Sequence, residues 1–219
     1  MRLVCISDTH GLHGEMPSVP PGDVVIHAGD CLRTGSLAAL EEFTRWFGNL
    51  PHKHKMLIAG NHDFCFESQH ARARMQCEEN GITYLQDEST VIDGLTFYGS
   101  PWTPVYRKMA FTATEEQMFE LRARIPDHTN VLITHGPALG ILDFVPHERA
   151  HVGCFPLLKR MDQLLSLTAH IFGHIHESYG FAVRESDGVK FANASTCDGS
   201  YRPINPPIII DLQETTEIG

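Results

Sequence analysis

Five separate segments of this 219-residue chain carry side chains that can bind a metal ion or move a proton. Each segment follows a short apolar run of the kind that forms a buried strand, and most contain a glycine that lets the backbone turn sharply. In open α/β sheets the ligand crevice lies at the carboxyl ends of the strands, so we expect the five segments to meet at one edge. The segments are Asp8-Thr9-His10, Gly29-Asp30, Gly60-Asn61-His62-Asp63, His135-Gly136 and Gly173-His174-Ile175-His176.

The side chains of these segments have the composition of a two-metal site. Two carboxylates, one amide oxygen and four imidazoles form a mixed oxygen and nitrogen set, which suits Mn, Fe or Zn, whereas all-oxygen sites suit Mg or Ca. Seven ligands are too many for one tetrahedral ion, but they fit two ions about 3.5–4 Å apart with one bridging carboxylate. The predicted metal ligands are Asp8, His10, Asp30, Asn61, His135, His174 and His176.

The charge of such a site indicates the kind of substrate it takes. Two divalent ions bring four positive charges and the two aspartates remove two, which leaves about two positive charges before hydroxide binds. Phosphate oxyanions suit such a pocket. The chain as a whole carries a formal net charge of −10, which argues against long nucleic acid as a partner.

The elements that must position these segments follow from the apolar pattern. Apolar runs alternate with amphipathic stretches in the first part of the chain, which predicts a layered α/β domain, whereas the part after Phe172 is expected to be more antiparallel. No repeat or linker interrupts the pattern, so we predict a single domain over residues 1–219. The predicted strands are 3–6, 24–26, 56–59, 95–98, 131–134, 169–172, 181–183 and 208–210, and the predicted helices are 37–50, 70–79, 114–125 with a capping box that begins at Thr112, and 155–167.

The lengths of the apolar runs and the spacing of the cysteines indicate the cellular compartment of the protein. No apolar run approaches the roughly 20 residues that span a bilayer, and the first run is too short for a signal peptide. The six cysteines are widely spaced without a C-x-x-C pair, which favours free thiols over disulfides or a zinc knuckle. We therefore expect a cytoplasmic protein without a membrane partner.

In their order along the chain, the five segments resemble the motif blocks of the calcineurin-like metallophosphoesterase superfamily. Taken together the blocks are very specific, although each alone is weak. Segments 99–104, 135–137, 142–143, 173–177, 193–195 and 205–207 are similar to the small metallophosphoesterase-domain proteins of the brain-expressed type, which extends the likeness over nearly the whole chain. The resemblance implies an αββα sandwich with mixed sheets and helices on the outer faces.

The resemblance also implies a role for each motif residue. One metal would be bound by Asp8, His10 and His176, the other by Asn61, His135 and His174, and Asp30 would bridge them. His62 would face the phosphate rather than bind metal. An imidazole there can donate a proton to the leaving group, and the adjacent Asp63 is a candidate for orienting or charging that ring.

These roles imply a phosphoric ester hydrolase with two divalent ions, Mn being favoured and Fe, Zn and Mg being alternatives. A metal-bridging hydroxide would attack phosphorus in line with the departing oxygen, without a covalent phosphoenzyme. The favoured substrate is a small phosphodiester such as a nucleotide, and the oligomeric state stays open. The alternatives are a phosphomonoesterase or protein phosphatase of the same fold, and a catalytically silent metal-binding scaffold.

Three further residues are predicted to contact substrate. His13 continues the first metal-binding loop and is expected to line its wall. Trp102 and Tyr106 are candidates for an aromatic platform under a nucleobase or aryl group, with core packing as the alternative. The other eight histidines have no ligand spacing and are assigned to the core or the surface.

Overall fold

The apolar runs form strands and the amphipathic stretches form helices in the computed structural model, which describes residues 1–212. The helices are α1 (Leu37–Gly48), α2 (Phe64–Ser68), α3 (His70–Glu79), α4 (Glu115–Ala123) and α5 (Phe155–Met161), together with one turn of 3₁₀ helix at His176–Ser178. The strands are β1 (Arg2–Ile6), β2 (Val24–Ala28), β3 (His54–Ile58), β4 (Thr83–Tyr84), β5 (Glu88–Ile92), β6 (Leu95–Ser100), β7 (Thr103–Pro104), β8 (Thr112–Ala113), β9 (Val131–Thr134), β10 (Phe144–Val145), β11 (Ala150–His151), β12 (Ala169–Phe172), β13 (Gly180–Val183), β14 (Lys190–Asn193) and β15 (Ile208–Asp211).

Two large sheets carry most of these strands. The first has the order β15-β1-β2-β3-β4 and is parallel except for β15, which runs antiparallel to β1. The second has the order β13-β14-β12-β9-β6-β5, with four parallel strands inside and antiparallel β13 and β5 at its edges. In addition, β7 pairs with β8 and β10 with β11. The inner strands of both sheets therefore bring their carboxyl ends to defined edges.

Alternation along the strands explains why the two sheets stack. On β1, Leu3 and Cys5 point into a core that both sheets share, whereas Val4 and Ile6 point into a core shared with α1, α2 and α3. A third core lies between the second sheet and α4 and α5. Two sheets covered by helices on their outer faces form the predicted αββα sandwich, so the fold prediction is confirmed.

The structure corrects several boundaries. The capping box of α4 begins at Thr114, whose hydroxyl accepts from the Gln117 amide while the Gln117 side chain accepts from the Thr114 amide, so the prediction of Thr112 was wrong. Helix α5 ends at Met161 rather than at residue 167. Beyond Phe172, β14 pairs antiparallel with β13 but parallel with β12, so that region is mixed.

The predictions on cysteines and domain organisation have different outcomes. All six cysteines are buried and free, as expected. Within residues 1–212, no helix is both long and apolar enough to cross a membrane. The single domain over 1–219 stays a prediction, and its last seven residues lie outside the described part of the chain.

Candidate metal centre

The five predicted segments meet where the two sheets come together. Three of them follow β1, β2 and β3 of the first sheet, and two follow β9 and β12 of the second. A parallel bridge between Ser7 and Ser195 joins the two sheets at this point. All seven predicted ligands lie in this region, as expected from strands that end at one edge.

One group of ligand atoms consists of Asp8, His10 and His176, whose donor atoms all lie within 4.8 Å of one another. His176 Nε2 lies 3.2 Å from His10 Nε2 and 3.3 Å from Asp8 Oδ1. At most one proton fits between the two facing imidazole nitrogens, and the Asp8 carboxylate adds its own lone pairs to the same cluster. A divalent cation satisfies such a set, and these residues therefore fit a metal ion.

The second group consists of Asp30, His135 and His174, again with donor atoms within 4.8 Å. His135 Nε2 lies 3.3 Å from Asp30 Oδ2 and 3.0 Å from Asn61 Oδ1. Asp30 Oδ2 is also 3.9 Å from His10 Nε2 of the first group. The same carboxylate oxygen thus faces both groups, which is the position of a bridging ligand.

Left-handed backbone conformations and a glycine allow these side chains to come together. Asp8, His10, Asp30 and His174 adopt positive φ angles of 50°, 46°, 53° and 71°, a conformation that non-glycine residues avoid and that clusters at functional sites. A Cβ on the glycine at position 173 would collide with Asp8 Oδ2. Glycine at this position therefore lets the backbone approach the ligand carboxylate.

The buried carboxylates at the centre stay ionised because of their neighbours. Burial raises the pKa of Asp8, but His176 and the other imidazoles nearby outweigh burial and hold that pKa well below its usual value. Burial likewise raises the pKa of Asp30, and His135 more than reverses the effect. Both side chains are therefore in the anionic form that binds metal ions.

The imidazoles divide into two kinds. Burial lowers the pKa of His10 and of His174 to about 4, so both are neutral near pH 7 and ready to bind metal. Burial also lowers the pKa of His135, but the Asp30 carboxylate outweighs this effect and raises the pKa to about 10. Binding of a metal ion at His135 must therefore release a proton.

Further hydrogen bonds orient the ligands. Nδ1 of His135 lies 2.9 Å from the Ala28 carbonyl and Nδ1 of His176 lies 3.1 Å from the Asp198 carbonyl, which directs Nε2 of each ring into the site. Ser195 Oγ lies 3.0 Å from Asp8 Oδ2. Ser195 is absent from the predicted site residues, although it follows β14 as the predicted ligands follow their strands.

We expect Ser195→Ala to weaken metal affinity by about 10- to 100-fold, because outer hydrogen bonds to ligands contribute on that scale. Competition with a chelator measures the affinity. Ser68→Ala is the matched control, since within residues 1–212 the exposed Ser68 hydroxyl donates only to the Phe64 carbonyl of its own helix. Equal affinities of the two variants would show that Ser195 does not support Asp8.

His62 lies beside the ligands, and its surroundings differ from the expected ones. Its ring centroid is 4.9 Å from that of His10, and its Nδ1 lies 3.3 Å from the Arg33 carbonyl. Asp63 does not contact the ring. Its buried carboxylate accepts from the amides of Leu32 at 2.9 Å and of Gly60 at 2.8 Å. The group in position to orient the His62 ring is therefore the Arg33 carbonyl and not Asp63.

Burial of Asp63 has its own consequence. Burial, together with the nearby Asp30 carboxylate, raises the pKa of Asp63 to about 7. The carboxyl connects the loop after β2 to the loop after β3 and so holds Asp30 and Asn61 next to each other. Its hydrogen bonds thus join the two loops that carry these candidate ligands.

The metal centre opens into a pocket of about 570 Å³. Tyr106 and Arg107 from the β7–β8 loop lie in its wall, as does Tyr201, whose ring lies 4.9 Å from the His10 ring and 5.2 Å from the His176 ring. Sequence spacing gave no signal for Tyr201, because its segment is a turn outside the strand pattern. The position of Tyr106 is compatible with the predicted platform.

Two of the predicted substrate contacts lie elsewhere. The His13 ring packs 4.8 Å from the Trp46 ring on α1 and is absent from the pocket wall. The Trp102 indole donates to Asp87 at 2.7 Å and packs on Phe111, which places it in the core. The packing alternative is therefore correct for Trp102, and the His13 ring does not line the pocket.

Comparison with known proteins agrees with this geometry. A family model described as calcineurin-like phosphoesterase matches residues 1–178, which is most of the chain. The chain belongs to this family. As a calcineurin-like phosphoesterase it is a metal-dependent phosphoesterase, and hence a hydrolase of phosphoric esters.

Relatives of this phosphoesterase match over nearly the full chain. Metallophosphoesterase domain-containing protein 1 of Homo sapiens is 37% identical, with 96% of this chain and 71% of that protein aligned. UPF0046 protein K07C11.7 of Caenorhabditis elegans is also 37% identical, with 99% and 77% aligned. The crystal structure of TT1561 of Thermus thermophilus has a TM-score of 0.57 at 8% identity over 88% of each chain, which shows a common fold.

Proposed function

We propose that this phosphoesterase binds two metal ions and hydrolyses small phosphodiesters, such as nucleotides. The observation that carries the proposal is the shared position of Asp30, whose Oδ2 faces the ligands of both groups. We propose that Asp8, His10 and His176 bind one ion and that Asn61, His135 and His174 bind the other. Mn is the favoured metal, with Fe, Zn and Mg as alternatives.

Bound divalent ions lower the pKa of water and neutralise phosphate charge. The chain's own residues supply the remaining requirements. We propose that His62 donates a proton to the leaving oxygen from Nε2, because its Nδ1 hydrogen is directed at the Arg33 carbonyl. None of these roles requires a covalent phosphoenzyme, since no nucleophilic side chain is needed for attack on phosphorus.

The pocket beyond the ligands supports a diester as substrate. Val105 and Met109 line it on the β7–β8 loop, and Val145 and Val152 line it around β10 and β11. A monoester presents its charged phosphate to the metals and one organic group to the pocket, whereas a diester presents two. An extended wall of apolar side chains favours the second case, because buried apolar contact stabilises the additional group.

Six free and buried cysteines also bear on where the enzyme works. Thiols of this kind persist in reducing compartments. They support our proposal of a cytoplasmic location.

A panel of mono- and diester nucleotides, assayed with Mn, Mg, Zn and Fe, tests the function. We expect hydrolysis only with metal, at kcat/KM values at least about 10-fold higher for diesters than for monoesters, and two ions per chain by elemental analysis. A preference for monoesters would favour a phosphatase of the same fold. Two bound ions without any hydrolysis would favour the silent scaffold.

A further inference from the structure

A single buried carboxylate holds together one wall of the pocket. Asp143 is fully buried, and its Oδ2 accepts from the amides of Gly140 and Gly153, both at 2.9 Å. Its Oδ1 lies 2.5 Å from Nδ1 of His151 on β11. One side chain therefore joins both ends of segment 140–153 and the second strand of the hairpin within it.

The backbone of the segment is built around this carboxylate. The Val152 amide donates to the Asp143 carbonyl at 3.2 Å. A Cβ on Gly153 would lie 2.7 Å from Asp143 Oδ2 and 2.5 Å from the Ala138 carbonyl oxygen, so only glycine allows this close approach. Removal of the carboxylate would leave two part-buried backbone amides without their acceptor, which would displace the segment.

The segment faces the pocket, whereas Asp143 itself does not. Val145, His147, Glu148, Val152 and Gly153 line the pocket. Asp143 belongs to none of the groups with metal-binding geometry among the described residues. The carboxylate is therefore not a candidate metal ligand, and its own hydrogen bonds all lie within segment 140–153.

We propose that Asp143 and His151 are positioning residues that set the specificity of the enzyme for the organic groups of its ester. The inference rests on the proposed function and deepens it. The wall that these residues hold presents the apolar faces of Val145 and Val152, with the polar groups of His147 and Glu148 beside them. Such a wall fits a flat aryl or nucleoside group and offers little to a methyl group, which is too small to reach it.

Two substrates with the same leaving group separate this role from general damage. Bis(p-nitrophenyl) phosphate and methyl p-nitrophenyl phosphate both release p-nitrophenolate but differ in the group that stays on phosphorus. For Asp143→Ala, which removes the acceptor, we expect KM of the bis-aryl ester to rise about 10-fold with kcat within about 2-fold, and both constants of the methyl ester to change by less than about 2-fold. Metal content is expected to stay at the wild-type value.

His151→Gln is the second test variant if Asp143→Ala does not fold, since the His151 side chain is 54% exposed and its replacement leaves the Gly140 and Gly153 amides paired with Asp143. The same selective rise in KM is expected, at about 3-fold. His128→Ala, at an exposed histidine outside the pocket wall, is the matched control. Equal losses on both esters, unchanged KM for both, or a lower metal content would overturn the inference.

Calorimetry with diphenyl phosphate and dimethyl phosphate gives a second measurement that does not depend on turnover. Selective loss of diphenyl phosphate affinity in the Asp143 and His151 variants supports the inference even if the wild-type enzyme hydrolyses neither p-nitrophenyl ester, which would count against the proposed function alone. Equal affinities of wild type and variants for diphenyl phosphate would overturn the inference and leave the proposed function standing.

Discussion

Replacement of Asp30 by asparagine is expected to reduce the bound metal from two ions to at most one per chain and to lower kcat/KM by at least about 10³-fold. Asp30 Oδ2 lies 3.3 Å from His135 Nε2 and 3.9 Å from His10 Nε2. The amide has a similar shape but no charge. One substitution therefore weakens both halves of the site.

Loss of the Asp30 charge is also expected to lower the pKa of His135. The Asp30 carboxylate is what raises the pKa of that imidazole against the effect of burial. In Asp30→Asn, His135 is expected to lose its proton at a lower pH than in wild type, which NMR titration of the metal-free protein can follow. The effect identifies Asp30 as the partner independently of activity.

Asp93→Asn is the matched control for Asp30→Asn. Asp93 and Asp30 both adopt left-handed backbone conformations, with φ of 47° and 53°, and asparagine tolerates that conformation well. Asp93 is exposed in the turn between β5 and β6, so its replacement reports any general effect of the substitution. Retention of two ions and full activity in Asp30→Asn would contradict the bridging role.

Replacement of His62 by alanine is expected to lower kcat by about 10²- to 10⁴-fold for a diester with an alkyl leaving group, the range typical of general acid catalysis. For a p-nitrophenyl ester, whose leaving group needs no proton, the loss is expected to be less than about 10-fold. Metal content is expected to remain at two ions per chain. Steady-state kinetics on both esters and elemental analysis measure these quantities.

The metal content matters because His62 has a second possible role. The donor atoms of His62, His10 and Asp30 also lie within 4.8 Å of one another, so the imidazole has the geometry of a ligand as well as that of a proton donor. Loss of an ion in His62→Ala, with equal rate losses on both esters, would assign it as a ligand and reject the acid role. His128→Ala again controls for removal of an imidazole.

The residues at strand ends could be predicted from the sequence because their positions follow from local pattern. Asp8 and His135 come directly after apolar runs, and parallel strands bring such positions to one edge. The assignment of each ligand to one metal came from the resemblance to a family, since spacing alone does not say which strand neighbours which.

Side-chain partners far away in the sequence could not be predicted. Trp102 follows a strand as the ligands do, yet its indole is bound by Asp87 from the neighbouring strand region. His13 continues a metal-binding loop, but its ring packs against the Trp46 ring on α1. In both cases a contact set by helix and sheet packing decided the orientation, and no local spacing encodes such a contact.

The last described strand closes the first sheet beside the first strand, and the consequence concerns how the enzyme is made. Asp8 bonds to His176, 168 residues further along, and to Ser195, 187 residues further along. A chain that is still emerging from the ribosome cannot form these contacts until residues 176 and 195 have been synthesised. Closing such long loops is slow. We therefore expect metal uptake to follow synthesis of residue 195, and the proposed ions to stabilise the native chain by joining residues that lie far apart in the sequence.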